Sequence, residues 1–412
     1  MKSFVFSVLV WSLSVGTIAL PMRSAHADAG DALWGMFSEG TINGNVRNYL
    51  NFRNFETRPD QRAYALGGKL FAETAPMGGL QIGGAFYFSN DLQSKRDDPR
   101  KRLGTLPEDI EILGEAYLKY TALSTSATFG RIKVNTPFAN PSDAFIVPIT
   151  FQGLHISNKS IEGLTVDAIY LRDFKNRSSD KFEDIGRFVG NRLSGLDRDN
   201  ASDRGTGILG ATYQTGPTKL EAWGYLFEDY FSTFYAAGSR TLPKLGEIEP
   251  YAAAQGFYQR DANDERFGDV NVRGFGVQLG ARFESFDLSF AYTDVQQDSG
   301  AFRNGALLAP FSFATGPLYT NSMLQTLENT DSGDAYKITL SYRGIPNTVA
   351  KASFAAYELD NSRNLREVNL DLEYGFDALV KGLSFRVRVA FVDSGDRSRK
   401  VINVRNQLQF AF

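Results

Sequence analysis

The sequence contains no cysteine and only two histidines among its 412 residues. Without cysteine, the chain can form no disulfide, thiolate metal site or catalytic thiol. Its 44 basic residues are balanced by 47 acidic ones, so it lacks the concentrated positive charge that nucleic-acid binding requires. After residue 27, no apolar run reaches the length of about 18 residues that a membrane-spanning helix needs. No phosphate-binding loop or metal-ligand cluster is visible, so we expect no cofactor, no metal and no nucleic-acid partner.

Glycine and aromatic residues are abundant instead, with 39 glycines, 33 phenylalanines and 18 tyrosines. Apolar and polar residues alternate along several segments, most clearly from Leu383 to Phe391. Alternation places one set of side chains on each face of a β-strand. These segments run for roughly 9–13 residues, whereas strands of soluble proteins are usually about 5–6 residues long. They are therefore long enough to cross a bilayer at a tilt.

The order of the predicted strands and connections indicates a closed barrel. Short connections follow even-numbered strands and longer or charged ones follow odd-numbered strands, except for a tight turn at 229. This parity is typical of a transmembrane barrel with both termini on the short-turn side. Because lipid offers no hydrogen bonds to a strand edge, the sheet must close on itself. The sequence thus predicts an all-β fold, a single transmembrane antiparallel β-barrel of about 18 strands. The predicted strands are 41–54, 62–74, 79–89, 111–122, 124–133, 149–157, 162–173, 205–215, 218–228, 230–241, 248–259, 270–283, 286–294, 335–343, 348–358, 365–376, 383–393 and 401–412.

The first 27 residues have the pattern of an export signal. Lys2 precedes an apolar run at 4–20, and the small-residue motif Ala25-His26-Ala27 is a signal-peptidase site. We therefore predict a signal peptide at 1–27 and a barrel domain at 28–412, although a retained membrane anchor is an alternative. The predicted location is the bacterial outer membrane, where lipid and lipopolysaccharide surround the protein.

The polar face of the predicted strands carries many basic residues. Arginine on the lipid face at mid-bilayer costs about 2–4 kcal/mol, so these residues are predicted to face the lumen. They form either a positive ladder that guides anionic solutes, or a hydrated wall whose charges pair with facing acids such as Glu115, Glu221 and Asp371. The basic residues predicted to face inward are Arg47, Arg53, Lys69, Lys119, Arg131, Lys133, Lys219, Arg282, Lys337, Lys351, Arg386, Arg388 and Arg405.

Two further features concern the membrane surroundings. Aromatic residues near the predicted strand ends, including Tyr49, Tyr170 and Tyr374, are predicted to lie in the headgroup zone, where amphipathic rings are favoured. The charged segment 94–102 either contacts lipopolysaccharide phosphates or is simply a solvated loop.

An enzyme is the main rival from another functional class. His155 is the only histidine beyond the signal peptide, and Ser157 follows two residues later on the same predicted strand face. A nucleophile–histidine pair is the minimum for hydrolytic catalysis, but a single lumen histidine is more simply a pore-lining group. We predict no catalytic residue. An adhesive barrel and a non-selective diffusion porin remain as further alternatives.

Several segments resemble the OprD-type outer-membrane porin family. The most specific is 129–143, which contains Gly130-Arg131 and Pro141-Ser142-Asp143, together with the Pro-Ile-Thr-Phe-Gln-Gly motif at 148–153. Segments 37–49 and 332–336 are also similar to recurring segments of that family. The resemblance covers both ends and the middle of the chain.

The resemblance implies a narrow channel, monomeric or trimeric, in which the loop at 134–148 folds inward as a constriction. It implies small polar or anionic solutes, such as amino acids or aromatic acids with a carboxylate. The sequence departs from the family pattern at Ala144, where an arginine is common, and at Asn403, where an acid is common, so the solute class stays open. Whether the loop 295–334 occludes the channel also stays open. Combined with the lumen assignment, the resemblance gives these candidate channel residues: Arg131, Lys133, Ser142, Asp143, Arg282, Arg386, Arg388 and Arg405.

Overall fold

The computed structural model describes residues 33–92, 101, 103, 109–142, 145–197, 199–311, 315–395 and 400–412. The predicted signal peptide, most of the charged segment 94–102 and the candidate residue Asp143 lie outside the described residues. The assignments made for them from sequence stay predictions.

Eighteen long strands and one two-residue strand make up nearly all the regular structure of the described residues. Each predicted strand is present, with ends that differ by at most two residues from the prediction. The strands are β1 (Thr41–Phe55), β2 (Gln61–Glu73), β3 (Leu80–Asp91), β4 (Ile110–Ala122), β5 (Thr125–Ile132), β6 (Thr150–Asn158), β7 (Leu164–Lys175), β8 (Glu183–Asp184), β9 (Thr206–Thr215), β10 (Thr218–Phe227), β11 (Phe231–Thr241), β12 (Ile248–Asp261), β13 (Asn271–Phe283), β14 (Phe286–Val295), β15 (Gly333–Tyr342), β16 (Thr348–Leu359), β17 (Leu365–Gly375), β18 (Leu383–Asp393) and β19 (Val401–Ala411).

The long strands form one closed antiparallel barrel. Each long strand pairs with the next long strand along the chain, and β1 closes the sheet by pairing with β19 from Asn45↔Ala411 to Phe55↔Val401. Strand β8 pairs only with the end of β7, and β7 pairs directly with β9. The two-residue β8 is therefore not one of the strands of the barrel wall. Closure leaves no sheet edge exposed to lipid, which confirms the predicted fold class.

Alternation along each strand separates a lipid face from a lumen face. On β18, Phe385 and Phe391 are exposed on the outer surface, while Arg386 and Arg388 occupy the opposite face. The wall thus follows the transfer energies of its side chains, with apolar groups outside and charged groups inside. Among the described residues, no helix is both long and apolar enough to cross a membrane.

Two helices belong to connections and form no part of the barrel wall. Helix α1 covers residues 33–38, before β1. Helix α2 (Ile185–Ser194) follows β8 and begins where the Asp184 carboxylate accepts a hydrogen bond from the Arg187 amide. It ends at Gly195, whose positive φ of 69° is a conformation that glycine adopts without strain. A short 3₁₀ turn, Phe302–Gly305, lies in the connection between β14 and β15.

The long-loop end of the barrel is filled by an apolar core. Inward-facing Phe151 and Phe174 lie 5.2 Å and 5.1 Å, ring centre to ring centre, from Phe311 of the loop between β14 and β15. Phe188 of α2 lies 4.5 Å from Phe174. At this end, therefore, even inward positions are apolar, because loops fold in and pack against them.

Candidate functional site in the channel

In its described residues, 133–142 and 145–149, the loop between β5 and β6 folds into the lumen, as predicted for 134–148. Phe138 packs edge-on against Tyr225 of β10 and Tyr235 of β11, with ring centres 5.5 Å and 5.9 Å away. Thr136 and Ala139 close a tight turn through reciprocal hydrogen bonds. The buried phenylalanine therefore anchors the loop tip to the far wall and narrows the passage.

The other limb of this loop is held by Phe145. Its carbonyl accepts a 2.8 Å hydrogen bond from Arg47, and its ring packs edge-on against Tyr49 at 5.7 Å. Two guanidinium groups flank the same ring, with Cζ of Arg177 at 4.6 Å and Cζ of Arg405 at 5.2 Å from its centre. Such cation–π contacts fix both the ring and the two charges in place.

The predicted position of Tyr49 in the headgroup zone is wrong. Tyr49 is fully buried and shares the lumen face of β1 with Arg47 and Asn51. The position near a strand end favoured an interface assignment, but alternation on β1 places this ring inside, where Phe145 covers it.

A second loop, between β14 and β15, also folds into the lumen in its described residues, 296–311 and 315–332, and touches the first. Its backbone is tied to the wall: the Leu324 amide donates to both carboxylate oxygens of Glu367 at 3.0 Å and 3.2 Å, and the Tyr357 hydroxyl donates to the Thr320 carbonyl at 2.8 Å. The Asn140 amide donates to the Thr315 carbonyl at 2.9 Å, which joins the two loops. This loop therefore narrows the passage as well, a point that the sequence left open.

Between the two loops and the wall lies a cavity of about 710 Å³. Arg388 of β18 borders it, and Glu221 of β10 lies on the part of the wall nearly opposite. The Glu221 carboxylate is 3.3 Å from the Lys219 ammonium and accepts a 3.3 Å hydrogen bond from the Trp223 indole. Side chains of the remaining lining include Pro137, Asn140, Ser142, Trp223, Tyr235 and Tyr319.

Three arginines concentrate positive charge at the narrow part. Arg388 and Arg405 are direct cross-strand partners, and Arg177 approaches from the loop after β7. Burial, together with the charge of nearby Arg405, lowers the pKa of Arg177 to about 10. The Arg405 side chain donates to the neutral oxygens of Asn403 and Met323 at 2.8 Å and 3.4 Å. At neutral pH the cluster remains positively charged and favours an anion in the cavity.

Two other predicted channel residues lie in the lumen but pair with acids. Arg386 binds the Asp371 carboxylate in a bidentate manner, at 2.8 Å and 2.6 Å. Arg282 lies near the short-turn mouth, 3.0 Å from Glu249 and 3.6 Å from Asp287. For these two, the alternative of a hydrated wall with paired charges describes the structure better than a ladder.

The predicted lumen position of Arg131 is wrong. Arg131 is the cross-strand partner of Ala116 and shares its face with Phe129, which is exposed on the outer surface. Its guanidinium donates to the Leu113 carbonyl at 3.0 Å and lies 4.6 Å from the centre of the Phe182 ring. The error has a physical cause: Ile132 turns inward to join the apolar core, so the neighbouring arginine turns outward.

Lys133 nevertheless reaches the lumen side. Strand β5 ends at Ile132, so alternation no longer applies to the next residue. The Lys133 ammonium lies 3.2 Å from the Glu115 carboxylate, which is 4% exposed and also accepts a hydrogen bond from Tyr87. The pair lies within the barrel but is not part of the cavity lining.

The register places the other predicted basic residues of the strands on the lumen face.

Ser142 lies where the two inward loops meet. Its hydroxyl accepts a 3.1 Å hydrogen bond from Arg177 and lies 3.3 Å from the Thr315 hydroxyl. Its φ of 47° falls in the left-handed region, and its amide bonds to the Asn140 side chain. Arg177 was missed by sequence reasoning because it lies in a loop, where alternation gives no direction for a side chain.

His155 forms part of the lumen wall. Its Nε2 lies 2.8 Å from the Asp167 carboxylate on the neighbouring strand. An imidazole paired in this way within a strand is a wall component and forms no part of the cavity lining described above.

Comparison with known proteins gives a consistent result. The model of the OprD family of outer membrane porins matches residues 98–409. Among crystal structures, Pseudomonas aeruginosa OccK9 (OpdG) is 21% identical, with a TM-score of 0.77 over 92% of this chain and 99% of that chain. P. aeruginosa OpdK with vanillate is 16% identical (TM-score 0.74, 92% and 100% covered). A BenF-like porin from Pseudomonas fluorescens Pf-5 is 17% identical (TM-score 0.78, 92% and 100% covered). No curated protein matches the chain closely enough in sequence to count as a relative.

Proposed function

Because the chain belongs to the OprD family of outer membrane porins, which are non-enzymatic channels of the bacterial outer membrane, we propose that its passage selects small solutes that carry a carboxylate. The selection is physical and involves no bond making or breaking. It acts at the cavity between the two inward loops, where a solute must exchange part of its hydration shell for protein groups.

The observation that carries the proposal is the arginine cluster around Phe145. Arg388 borders the cavity directly, whereas Arg405 is only 5% exposed and acts through its field. Arg177 adds a third charge, with its Cζ 4.6 Å from the centre of the Phe145 ring. A carboxylate entering the cavity therefore meets the Arg388 guanidinium, which replaces part of its lost water, and is attracted by the field of the other two arginines, while a neutral or cationic solute gains less.

The opposite side of the cavity is suited to an apolar or aromatic body. Pro137, Trp223, Tyr235 and Tyr319 supply apolar surface next to one acid, Glu221. Its carboxylate is already engaged by Lys219 and Trp223, so a solute ammonium would compete with these partners. This favours aromatic or other organic monocarboxylates over amino acids. The crystal structure of OpdK with vanillate, an aromatic carboxylate, is consistent with that preference.

Substitution of the cavity arginine tests the proposal. Purified full-length protein is inserted into planar bilayers, and the reversal potential in a KCl gradient is measured for wild type, Arg388→Gln and the double variant Arg386→Ala with Arg388→Ala. Wild type is expected to prefer anions, and both variants are expected to lose that preference. A matched control is Arg282→Gln, which removes a lumen arginine that pairs with two acids outside the cavity.

Liposome uptake with benzoate, glutamate, arginine and a neutral sugar then identifies the solute class. The proposal requires that benzoate enter faster than a sugar of equal size and that Arg388→Gln remove this difference. Equal entry of all four solutes, with unchanged ion preference in the variants, would show a non-selective diffusion porin instead.

A further inference from the structure

The outer wall of the barrel carries a groove that the pore does not use. It has a volume of about 740 Å³ and crosses the lipid-facing side from β6 to β12. Leu209 and Phe234 rise beside it as exposed apolar side chains. Small residues take the place of bulky ones along its floor, namely Ala168, Gly207, Gly224 and Ser232.

The groove is continuous because its residues lie in register across the sheet. Gly207 pairs with Tyr170 and Leu226, and Leu226 pairs with Ser232, which in turn pairs with Arg260. Four strand spacings of about 4.8 Å give this row a length of about 19 Å. The groove also extends along the strands towards the middle of the bilayer, since Gly224 lies two residues before Leu226 on β10 and Ala168 lies two residues before Tyr170 on β7. Tyr170 and Leu226 are exposed apolar side chains that border it.

The groove lies at the long-loop ends of its strands. Gly207 is the second residue of β9 and Leu226 is the last but one of β10, next to the connection 228–230. Long loops mark the extracellular side of such barrels. The groove therefore opens to the outer leaflet of the membrane.

Arginine side chains surround the extracellular margin of the groove. Arg260 lines it and is exposed on the outer face. Arg273, also exposed, lies on the adjoining strand with its Cζ 5.8 Å from the centre of the Tyr258 ring. At the other end of the row, the exposed Arg172 is the next outward residue after Tyr170.

An acid also lies at this end of the wall. Glu228, in the turn after β10, lies 3.6 Å from Arg204, so it already has a basic partner. The apolar groove and its positive margin thus complement a molecule whose acyl chain points to the bilayer centre and whose phosphate lies at the extracellular surface. Charge-assisted contacts between guanidinium and phosphate are among the stronger hydrogen bonds.

We propose that this groove binds one lipopolysaccharide molecule of the outer leaflet, with an acyl chain against Ala168, Gly207 and Gly224 and a lipid A phosphate at Arg260. An apolar groove alone would accept any lipid chain. The arginines at headgroup height distinguish a phosphorylated glycolipid from a zwitterionic phospholipid, and the extracellular position assigns it to the leaflet in which lipopolysaccharide resides.

The test uses full-length protein in detergent and deep-rough lipopolysaccharide, with bound molecules counted by native mass spectrometry. Gly224→Leu fills the floor, and a Cβ there meets no atom nearer than 4.0 Å, so the substitution causes no clash. Arg260→Gln removes the charge. Each variant is expected to weaken binding about tenfold, Gly224→Leu by occupying the space of the acyl chain and Arg260→Gln by removing a charge-assisted hydrogen bond. Ala352→Leu and Arg62→Gln are matched controls on outward positions of β16 and β2 and are expected to bind normally.

Two results would overturn the proposal. If phosphatidylethanolamine displaces lipopolysaccharide with equal affinity, the groove holds only annular lipid. If Gly224→Leu alters the oligomeric state in sedimentation but leaves lipopolysaccharide binding intact, the groove is a contact between copies of the chain. Single-channel conductance is expected to be unchanged in all four variants, because their side chains point away from the lumen. Loss of lipid binding with a normal pore separates this proposal from the one on solute selection.

Discussion

Arg388 and Arg405 are direct cross-strand partners on β18 and β19, with both side chains on the lumen side of the wall. Like charges in directly opposed positions destabilise a sheet, so this pair has an energetic cost that a simple wall would avoid. The side-chain oxygen of Asn403 accepts a hydrogen bond from Arg405 without neutralising its charge. The arrangement places two guanidinium groups side by side on the lumen face, and Arg388 faces Asp371 on its other side.

Substitution Arg177→Gln is expected to reduce anion preference and to loosen the junction of the two inward loops. The change removes one charge from the cluster together with the hydrogen bond to Ser142. A shift of the reversal potential towards the cation value, with larger current fluctuations, is the expected recording. Arg177→Lys retains the charge, so it is expected to preserve most of the preference; an equal loss in both variants would contradict the electrostatic role.

The pH dependence of wild type provides a second measure of the same residue. Only the protonated guanidinium attracts anions, and burial with the charge of Arg405 lowers the pKa of Arg177 to about 10. Anion preference is therefore expected to stay constant at neutral pH and to fall as the pH rises through that value. The difference in reversal potential between wild type and Arg177→Gln should shrink over the same interval. A difference that persists well above it would contradict the assignment.

Substitution Glu367→Ala is expected to release the loop 295–334 from the wall. The Glu367 carboxylate is fully buried and accepts from the Leu324 amide through both oxygens. Loss of this acceptor leaves a buried amide unsatisfied, which costs about 1–3 kcal/mol. Higher or fluctuating single-channel conductance is the expected readout. Glu367→Gln keeps one acceptor oxygen and should show a smaller effect; conductance that is unchanged in both variants would mean that the loop is held elsewhere.

Substitution Arg131→Gln is expected to leave ion selectivity unchanged. Its guanidinium lies on the outer side of the wall, at Leu113 and Phe182, and has no access to the cavity. The reversal potential in a KCl gradient should equal that of wild type, in contrast to Arg388→Gln. A clear loss of anion preference would show that the side chain faces the lumen after all.

Substitution Lys133→Met is expected to lower the stability of the barrel. The Glu115 carboxylate is buried and would lose its cationic partner at 3.2 Å. Breaking a fully buried ion pair costs about 3–5 kcal/mol, and the partial exposure of Lys133 reduces this to about 2 kcal/mol. Unfolding in urea, followed by tryptophan fluorescence, measures the change. The double variant with Glu115→Gln should recover part of the loss; a double variant as unstable as the sum of both single changes would show no coupling.

The sequence predicts the wall well because lipid imposes one simple rule on every strand. Outward side chains must be apolar and every backbone group must be paired, so alternation and connection length locate all eighteen long strands. The same rule correctly turns Arg386, Arg388 and Arg405 inward. It fails at Arg131, where loops fill the barrel and the inward face is no longer aqueous. The error at Tyr49 has another source, the expectation that aromatic residues near strand ends lie in the headgroup zone.

The course of the inward loops and the direction of their side chains are harder to predict from the sequence. Alternation carries no information in an irregular segment, so Arg177 and the inward course of 295–334 had no signal of their own. The constriction at 134–148 came from resemblance to a family, and its contacts with Tyr49 and Tyr225 depend on residues far apart in the chain. Such contacts follow from packing and not from local pattern.

The two inward loops meet through Asn140, Ser142 and Thr315, outside the ladder of strand hydrogen bonds. The loops consequently determine the width of the channel, whereas the strand hydrogen bonds determine the stability of the barrel. Replacements at the loop tips can retune what is admitted while the scaffold stays intact. Related proteins can therefore evolve different solute specificities while the barrel stays the same.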